Sequence, residues 1–428
     1  MKKEIKERID AVRRGKTPDG YYENVAGIMP TDWSCAPLHA ISEVLSEQAG
    51  DREFETLSIS AGIGFVNQAE KFGKELSGKQ YAKYTVLRRG DFAYNKGNSK
   101  RYPQGCTYML REREEAAVPN VFECFRITEG HPEYYEQLFI NGFMNKQLTR
   151  KINHGVRDDG LLNLTDEDFY STVLPVPLAA EQQKIAEILA TCDRVIELKE
   201  RLLEEKQRQK RACLQKMLPQ NGCDVPEWRL PGFSLPWQKK KLGELVTFYN
   251  GLTYSPDDIR TEGTLVLRSS NVKDGEIVDA DNVYVDPTAV NSENVQIGDI
   301  IVVVRNGSRA LIGKHAEIKA DMPNTVIGAF MTGIRSEYPL FVNVLLSTPQ
   351  FDKEVEKNLG AAINQITGYM FAKMEFMVPE AAERVAVGEF FRTIDDLIAL
   401  YQQELEQEKQ KKKALMQLLL TGLVRVNA

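Results

Sequence analysis

Between Glu181 and Met217 apolar residues fall at Ile185, Ile188, Cys192, Val195 and Leu202, in steps of three and four, with Lys199 at the intervening place. That period puts them on one stripe of an α-helix that has a partner. The stretch holds no proline or glycine, and its outward positions mix opposite charges, as in ELKERLLEEKQRQKR, which suits a solvated helix exterior. Further along the chain the same places hold Val387, Phe390, Ile394, Leu397, Tyr401 and, one step on, Leu405. Each predicted helix has about 37 residues, roughly 55 Å of length.

The two stretches also open alike, with VPLAAEQQK at 176–184 and VPEAAERVA at 378–386. At this spacing of 202 residues Glu181 falls on Glu383, Thr191 on Thr393, Asp193 on Asp395, Ile196 on Ile398 and Lys210 on Lys412, without a gap. The register extends backward, LNLT (162–165) lying over NQIT (364–367). Each half begins with a W-x4-L segment, at Trp33, Leu38 and Ile41 and again at Trp237, Leu242 and Leu245. Between these landmarks RRGDFAYNKGNS (88–99) resembles QIGDIIVVVRNGS (296–308): a Gly-Asp turn, an apolar strand, then a basic and polar loop. A repeat this long is a duplicated domain pair, because solenoid units run about 20 to 50 residues.

Neither long helix can bury its stripe alone, so the two are expected to pair with each other, antiparallel. The N-terminal KKEIKERIDAVRR predicts a short helix that, at the tryptophan spacing of 204, falls over residues 206–217. The chain is therefore expected to start where the second long helix finishes. The predicted organisation is a lead-in at 1–32, a globular part at 33–175, a helix segment at 176–220, a linker at 221–236, a second globular part at 237–377 and a helix segment at 378–428. Short β runs (KYTVLRR, DFAYN, VFECFRI, TLVLRSS, IVVVR, EFMVP) between Gly and Asn turns make the globular parts mixed α/β. The fold class is α+β, with an internal pseudo-twofold repeat and a coiled-coil helix pair between the domains.

With 428 residues, 42% of them hydrophobic and 27% charged, the chain reads as two or three soluble globular domains. No apolar run is long enough to span a bilayer, and the charged MKKEIKERID reads as no signal peptide, so the cytoplasm is the expected location. The six cysteines form no C-x-x-C pair and lie near no histidine cluster, which argues against a zinc site or a disulfide framework. The net charge of −6 speaks against nucleic acid only if charge is evenly spread. It is not, because residues 71–113 hold eleven Lys or Arg against three acids, with five tyrosines interleaved. In the second half, basic and amide residues cluster as RSSNVK (268–273) and RNGSRALIGKH (305–315). Such side chains hydrogen-bond phosphates and base edges.

Catalytic motifs are missing: there is no G-x-x-x-x-G-K-[ST], no H-E-x-x-H, no G-x-S-x-G and no [DNS]-P-P-[YFW]. Two differing domains, each opened by W-x4-L and followed by a helix beginning V-P-x-A-A-E, strongly resemble the DNA-specificity subunit of type I restriction-modification systems. LMQLLLTGLVRV (415–426) is similar to the way that family's helices end, whereas MLPQNG (217–222) departs from it. LSISAGIGFVNQAEKFGKE and YTVLRRGDFAYNKGNS resemble one subclass of its first target-recognition domain.

The resemblance implies a non-catalytic subunit of a phage-defence complex. Each target-recognition domain would read one half of a bipartite, asymmetric site in double-stranded DNA, and the helices would set the spacer. Two modification subunits would dock on the chain, and restriction subunits would join them. S-adenosylmethionine, ATP and Mg are expected on those partners, with no cofactor or metal in this chain and no membrane partner. Loop chemistry nominates Gln68, Lys71, Lys96, Asn98, Ser99, Lys100 and Arg101 in the first domain as DNA contacts. In the second it nominates Arg268, Ser270, Asn271, Arg305, Asn306, Ser308 and Arg309. The alternative is a coiled-coil scaffold that binds proteins without reading DNA.

Overall fold

Pro177 and Pro379 each end a strand, Val173–Val176 or Glu375–Val378, and lead into the two long helices, Ala179–Met217 and Ala381–Leu419. Proline cannot continue a hydrogen-bonded strand ladder, so the strand stops where the helix begins. The first helix stops at Met217, two residues before Pro219. Gly422, at φ 67°, closes the second: its N–H donates to the Leu419 carbonyl at 3.1 Å, and the Val424 N–H to the Leu418 carbonyl at 3.0 Å. Glycine takes this left-handed turn without strain. A Cβ there would also lie 2.4 Å from Pro30 Cγ.

The computed structural model describes residues 3–73, 78–97, 101–152, 161–219, 223–359 and 364–426. Two compact units divide the chain, Met1–Leu198 with Leu405–Ala428 and Lys199–Glu404. Each unit therefore contains part of both long helices. In the second unit Lys199 pairs with Glu404 at 2.7 Å and Lys210 with Asp395, so partner number falls as residue number rises. In the first unit Asp193 pairs with Lys412 and Glu181 with Arg425, in the same sense. Both sets of pairs are antiparallel. Lys210 with Asp395 and Lys412 with Asp193 are one pair of repeat positions, made twice with the helices exchanged.

In mid-helix the heptad reading needs correcting. Ile185 and Leu189 are fully buried, but Val195 is 37%, Leu202 39% and Leu397 39% exposed. The buried positions there are Leu405, which the stripe included, and Ile398, which it did not, each 9% exposed. A straight helix turns once per 3.6 residues, so a stripe read at 3.5 drifts off the seam.

Each core forms around its tryptophan. In the first unit Trp33 joins Leu38, Phe92, Phe125 and Tyr134, with Ile185 and Leu189 from the start of one long helix and Met416, Leu419 and Leu420 from the end of the other. In the second, Trp237 joins Leu242, Ile300, Phe341 and Phe376, with Val387 and Phe391 from one helix and Leu214 and Met217 from the other. The short helix Lys3–Arg13 lies beside the chain's far end, where Arg8 donates to the Leu423 carbonyl and Tyr21 to the Gly422 carbonyl at 2.7 Å.

The repeat holds in the sheets. The first unit has an antiparallel sheet in the order Ser42–Val44, Glu123–Ile127, Phe92–Asn95, Cys106–Met109, and the second has Thr247–Asn250, Met331–Arg335, Ile300–Val303, His315–Glu317. Strand Ser34–Pro37 pairs with Val173–Val176 as Gln238–Lys241 pairs with Glu375–Val378. Elsewhere the units differ. The second has a further sheet, Ile259–Arg260, Val283–Val285, Thr264–Leu267 and Thr325–Ile327, whose last pair is parallel. The first has instead two separate two-stranded ladders, Leu57–Ser60 with Gly64–Asn67 and Thr85–Arg88 with Glu115–Val118.

Candidate nucleic-acid interface

The Gly-Asp turns hold the strands that lead to the basic loops. Gly90 and Gly298 take φ of 92° and 87°, and the following Asp91 and Asp299 are 1% and 2% exposed. Arg126 Nε donates to Asp91 Oδ1 at 2.7 Å and its Nη2 to Oδ2 at 2.9 Å. Arg335 grips Asp299 in the same fork, at 2.9 and 3.2 Å. Each aspartate also accepts a backbone N–H, from Arg88 at 2.7 Å and from Gln296 at 2.9 Å, which closes its turn. A bidentate pair of this kind fixes direction as well as charge.

At their other ends the strands release loops that are anchored alike. The Leu162 N–H donates to the Lys96 carbonyl and the Ile366 N–H to the Val304 carbonyl, both at 2.9 Å. Single β-bridges join Gly97 to Leu161 and Arg305 to Gln365. Just beyond, Thr165 and Thr367 accept N–H bonds at the starts of helices Asp166–Tyr170 and Gly368–Lys373. The LNLT and NQIT stretches are thus the loops' common backing.

In the first unit the nominated residues do not gather on one surface. Lys96 has a side chain only 13% exposed, held by Glu123 at 2.7 Å and Asp166 at 2.8 Å. Burial alone would pull its ammonium down, but the two carboxylates outweigh that and raise its pKa above the ordinary lysine value. Gln68, 3% exposed, is buried near the Tyr84 hydroxyl, so it is no surface contact. Lys71 reaches the Ile59 carbonyl at 3.4 Å, and Arg101 lies 5.7 Å from the ring centre of Tyr102. Lys71 thus touches the hairpin of Leu57–Ser60 and Gly64–Asn67, whose tip carries Ile63, 76% exposed. Asn98, Ser99 and Lys100 lie outside the described residues.

Folding also removes much of the charge surplus. Arg88 pairs with Glu47 and Glu115, Arg89 with Glu114, Arg111 with Glu136 and Arg113 with Glu55. All these acids lie outside the basic stretch.

The second unit does bring its candidates together. Asn306 donates to Ser269 Oγ at 3.0 Å, joining the 268–271 loop to the 305–309 loop, and its own Oδ1 accepts the Ser308 N–H at 2.9 Å. Asn271 is the exception: fully buried, it donates to the carbonyls of Val278 and Ala280 and accepts the Arg268 N–H, so it shapes the loop from within. Arg268 is tied to Asp281 at 2.7 Å. Ser270, Arg305, Ser308 and Arg309 are exposed. Arg309 reaches the Leu359 carbonyl at 3.3 Å, and Arg305 stacks 5.1 Å over the ring of Phe330. Among the described residues no carboxylate pairs with Arg305, Arg309 or Lys314. Beside them lies a groove of about 470 Å³ lined by Tyr254, Ile259, Arg268, Ser269, Ser270 and Phe330, among others.

Sequence reasoning missed Phe330, 54% exposed at the turn before strand Met331–Arg335. Its neighbours GAFM carry no motif, and only position in the fold reveals it. Sequence reasoning also missed the acid ends of the helix openings. Glu181, 3% exposed, accepts Trp33 Nε1 at 2.9 Å and both arms of Arg425, and Glu383, 1% exposed, accepts both arms of Arg229. Among the described residues no group of His, Cys, Asp and Glu could hold a metal, and no helix is long and apolar enough to cross a membrane.

The family described as type I restriction modification DNA specificity domain matches residues 127–206 and 235–410. The type I restriction enzyme MjaVIII specificity subunit of Methanocaldococcus jannaschii is 25% identical over 280 residues, covering 62% of this chain and 65% of that one. The putative MjaX specificity subunit from the same organism is 23% identical, covering 95% of this chain and 97% of that one. Among solved structures, the S subunit of a type I restriction-modification system from M. genitalium superposes with a TM-score of 0.56 at 14% identity, over 92% of this chain and 97% of that one. A chain from a structural study of type I R-M complex assembly and conformational transition gives the same TM-score at 16% identity, over 92% and 99%.

Proposed function

This chain belongs to the type I restriction-modification DNA specificity family, and on that premise we propose that it directs a modification complex to a bipartite DNA site without doing chemistry itself. One observation carries the reading: the two units share their clamps, helix openings and central sheet, while their remaining sheets and surface loops differ. A scaffold held constant with two different faces suits the reading of two unlike half-sites. Arg305, Arg309, Ser270 and Asn306 face DNA in the second domain, with Lys71 and Arg101 as backbone contacts in the first. The long helices set the distance between the half-sites.

Two modification subunits dock on the helices and carry S-adenosylmethionine, while restriction subunits carry ATP and Mg. Leu198 and Leu400, equivalent in the repeat and each 51% exposed, are the proposed contacts for these two partners. Methylome sequencing of a host expressing this chain with a modification subunit tests the reading. The expected result is one adenine-methylated motif in two specific blocks separated by a fixed nonspecific gap. A single uninterrupted motif, or none, contradicts it. A protein-only scaffold would leave the complex unable to retain duplex DNA in a salt-dependent way.

A further inference from the structure

Phe330 occupies a position that its chemistry alone would disfavour. It is more than half exposed, yet its backbone is tightly built in: its carbonyl accepts the N–H of Val304 at 2.9 Å and of Arg305 at 3.2 Å. The preceding turn is bound as firmly, with Gly328 N–H on the Leu267 carbonyl and Ala329 N–H on the Leu252 carbonyl, each at 2.9 Å. Gly251 permits this approach, since a Cβ there would lie 2.0 Å from the Gly328 carbonyl oxygen. The ring is thus presented on a rigid mount beside a groove whose apolar wall includes Leu252, Tyr254, Ile259 and Met331.

Above the ring lies the Arg305 guanidinium, which has no carboxylate partner among the described residues. An arginine stacked on an aromatic face keeps its fork of donors in plane and loses less freedom on binding. That fork matches the O6 and N7 acceptors of guanine, and a phenyl edge matches the C5-methyl group of thymine. Ser269 and Ser270 line the groove and Asn306 donates to Ser269, while the one acid in its lining, Asp281, is held by Arg268 at 2.7 Å. Donors beside a paired acid fit a nucleic-acid occupant better than an apolar protein surface.

We propose that Phe330 and Arg305 form one reading unit that recognises a C5-methylated pyrimidine next to a guanine in the major groove of the half-site read by the second domain. The inference rests on the DNA reading above and adds a specificity-determining residue, Phe330, that the loop chemistry does not nominate. Phe330 reads the methyl group, and Arg305, held by Phe330, reads the neighbouring base.

The test uses the full complex with a modification subunit and a duplex carrying its methylome-defined motif. Each thymine is replaced singly by deoxyuridine, which removes only the C5-methyl group. One position in the second half-site is expected to lose about fourfold in affinity, the effect of one buried methyl. Phe330→Ala should bind the thymine and uracil duplexes alike, and Phe330→Leu should keep part of the preference. Arg305→Ala should relax the neighbouring guanine by about tenfold.

The proposal is overturned if no position senses the methyl group, or if Phe330→Ala keeps the same sensitivity. It is equally overturned if Phe330→Ala weakens every sequence alike, as loss of a wedge between base steps would. A wild-type complex that holds no duplex at all would instead remove the DNA reading itself.

Discussion

Asp299 is almost wholly removed from solvent, and its charge is tolerated because Arg335 and two backbone or hydroxyl donors surround it. Taking the acid away leaves a guanidinium, itself 27% exposed, that keeps Glu293, the Asn294 carbonyl and the Tyr249 ring but loses its buried bidentate partner. Asp299→Ala is therefore expected to destabilise the second unit by about 3 kcal/mol, and Asp91→Ala the first by a similar amount, in urea unfolding. A change below about 1 kcal/mol in both would show that the clamps do not hold the turns.

His315 makes a second expectation at this scale. Burial holds its pKa down at about 4 against an ordinary 6.5, with the Lys210 cation in the same sense and the Gly313 carbonyl opposing. Between those values the unfolded chain takes up a proton that the folded one refuses, so stability falls as pH drops through that window. The melting temperature should fall less from pH 7 to pH 5 in His315→Gln than in the parent, and equal slopes would dismiss the effect. The Gly-Asp half of each clamp was legible as a turn, but its arginine was not. Arg126 and Arg335 lie 35 and 36 residues downstream, and nothing local marks either as a partner.

At the scale of elements, the long helices were legible because a face buried along its length imposes a period on the sequence. The seam's exact course was not, since neighbouring positions compete where the buried stripe narrows in mid-helix. Two expectations belong here. Inserting four residues in each helix adds ~6 Å of rise, about two base pairs, and should lengthen the methylated motif's gap accordingly. An unchanged gap would end the idea that the helices measure spacing. Leu198→Glu with Leu400→Glu should weaken co-purification of a modification subunit at least tenfold while leaving the fold's circular dichroism unchanged. Full retention would move the docking surface elsewhere.

At the scale of the whole molecule, the repeat predicts independence. Replacing residues 237–377 by the corresponding segment of a relative should change one block of the methylated motif and leave the other as it was. A change in both blocks would mean that the units do not read separately.

The sequence by itself determined the duplication, the helix pair, a few of the strands and the family, because periodicity and repeated motifs are written along the chain. Only the tertiary structure decided which charges remain available. Most of the described cations in the first basic stretch meet acids from other segments, whereas Arg305 and Arg309 stay unpaired by any described acid and Arg305 lies over Phe330. Charge pairing depends on distance in space, and a linear sequence carries no record of which distant segment folds against which.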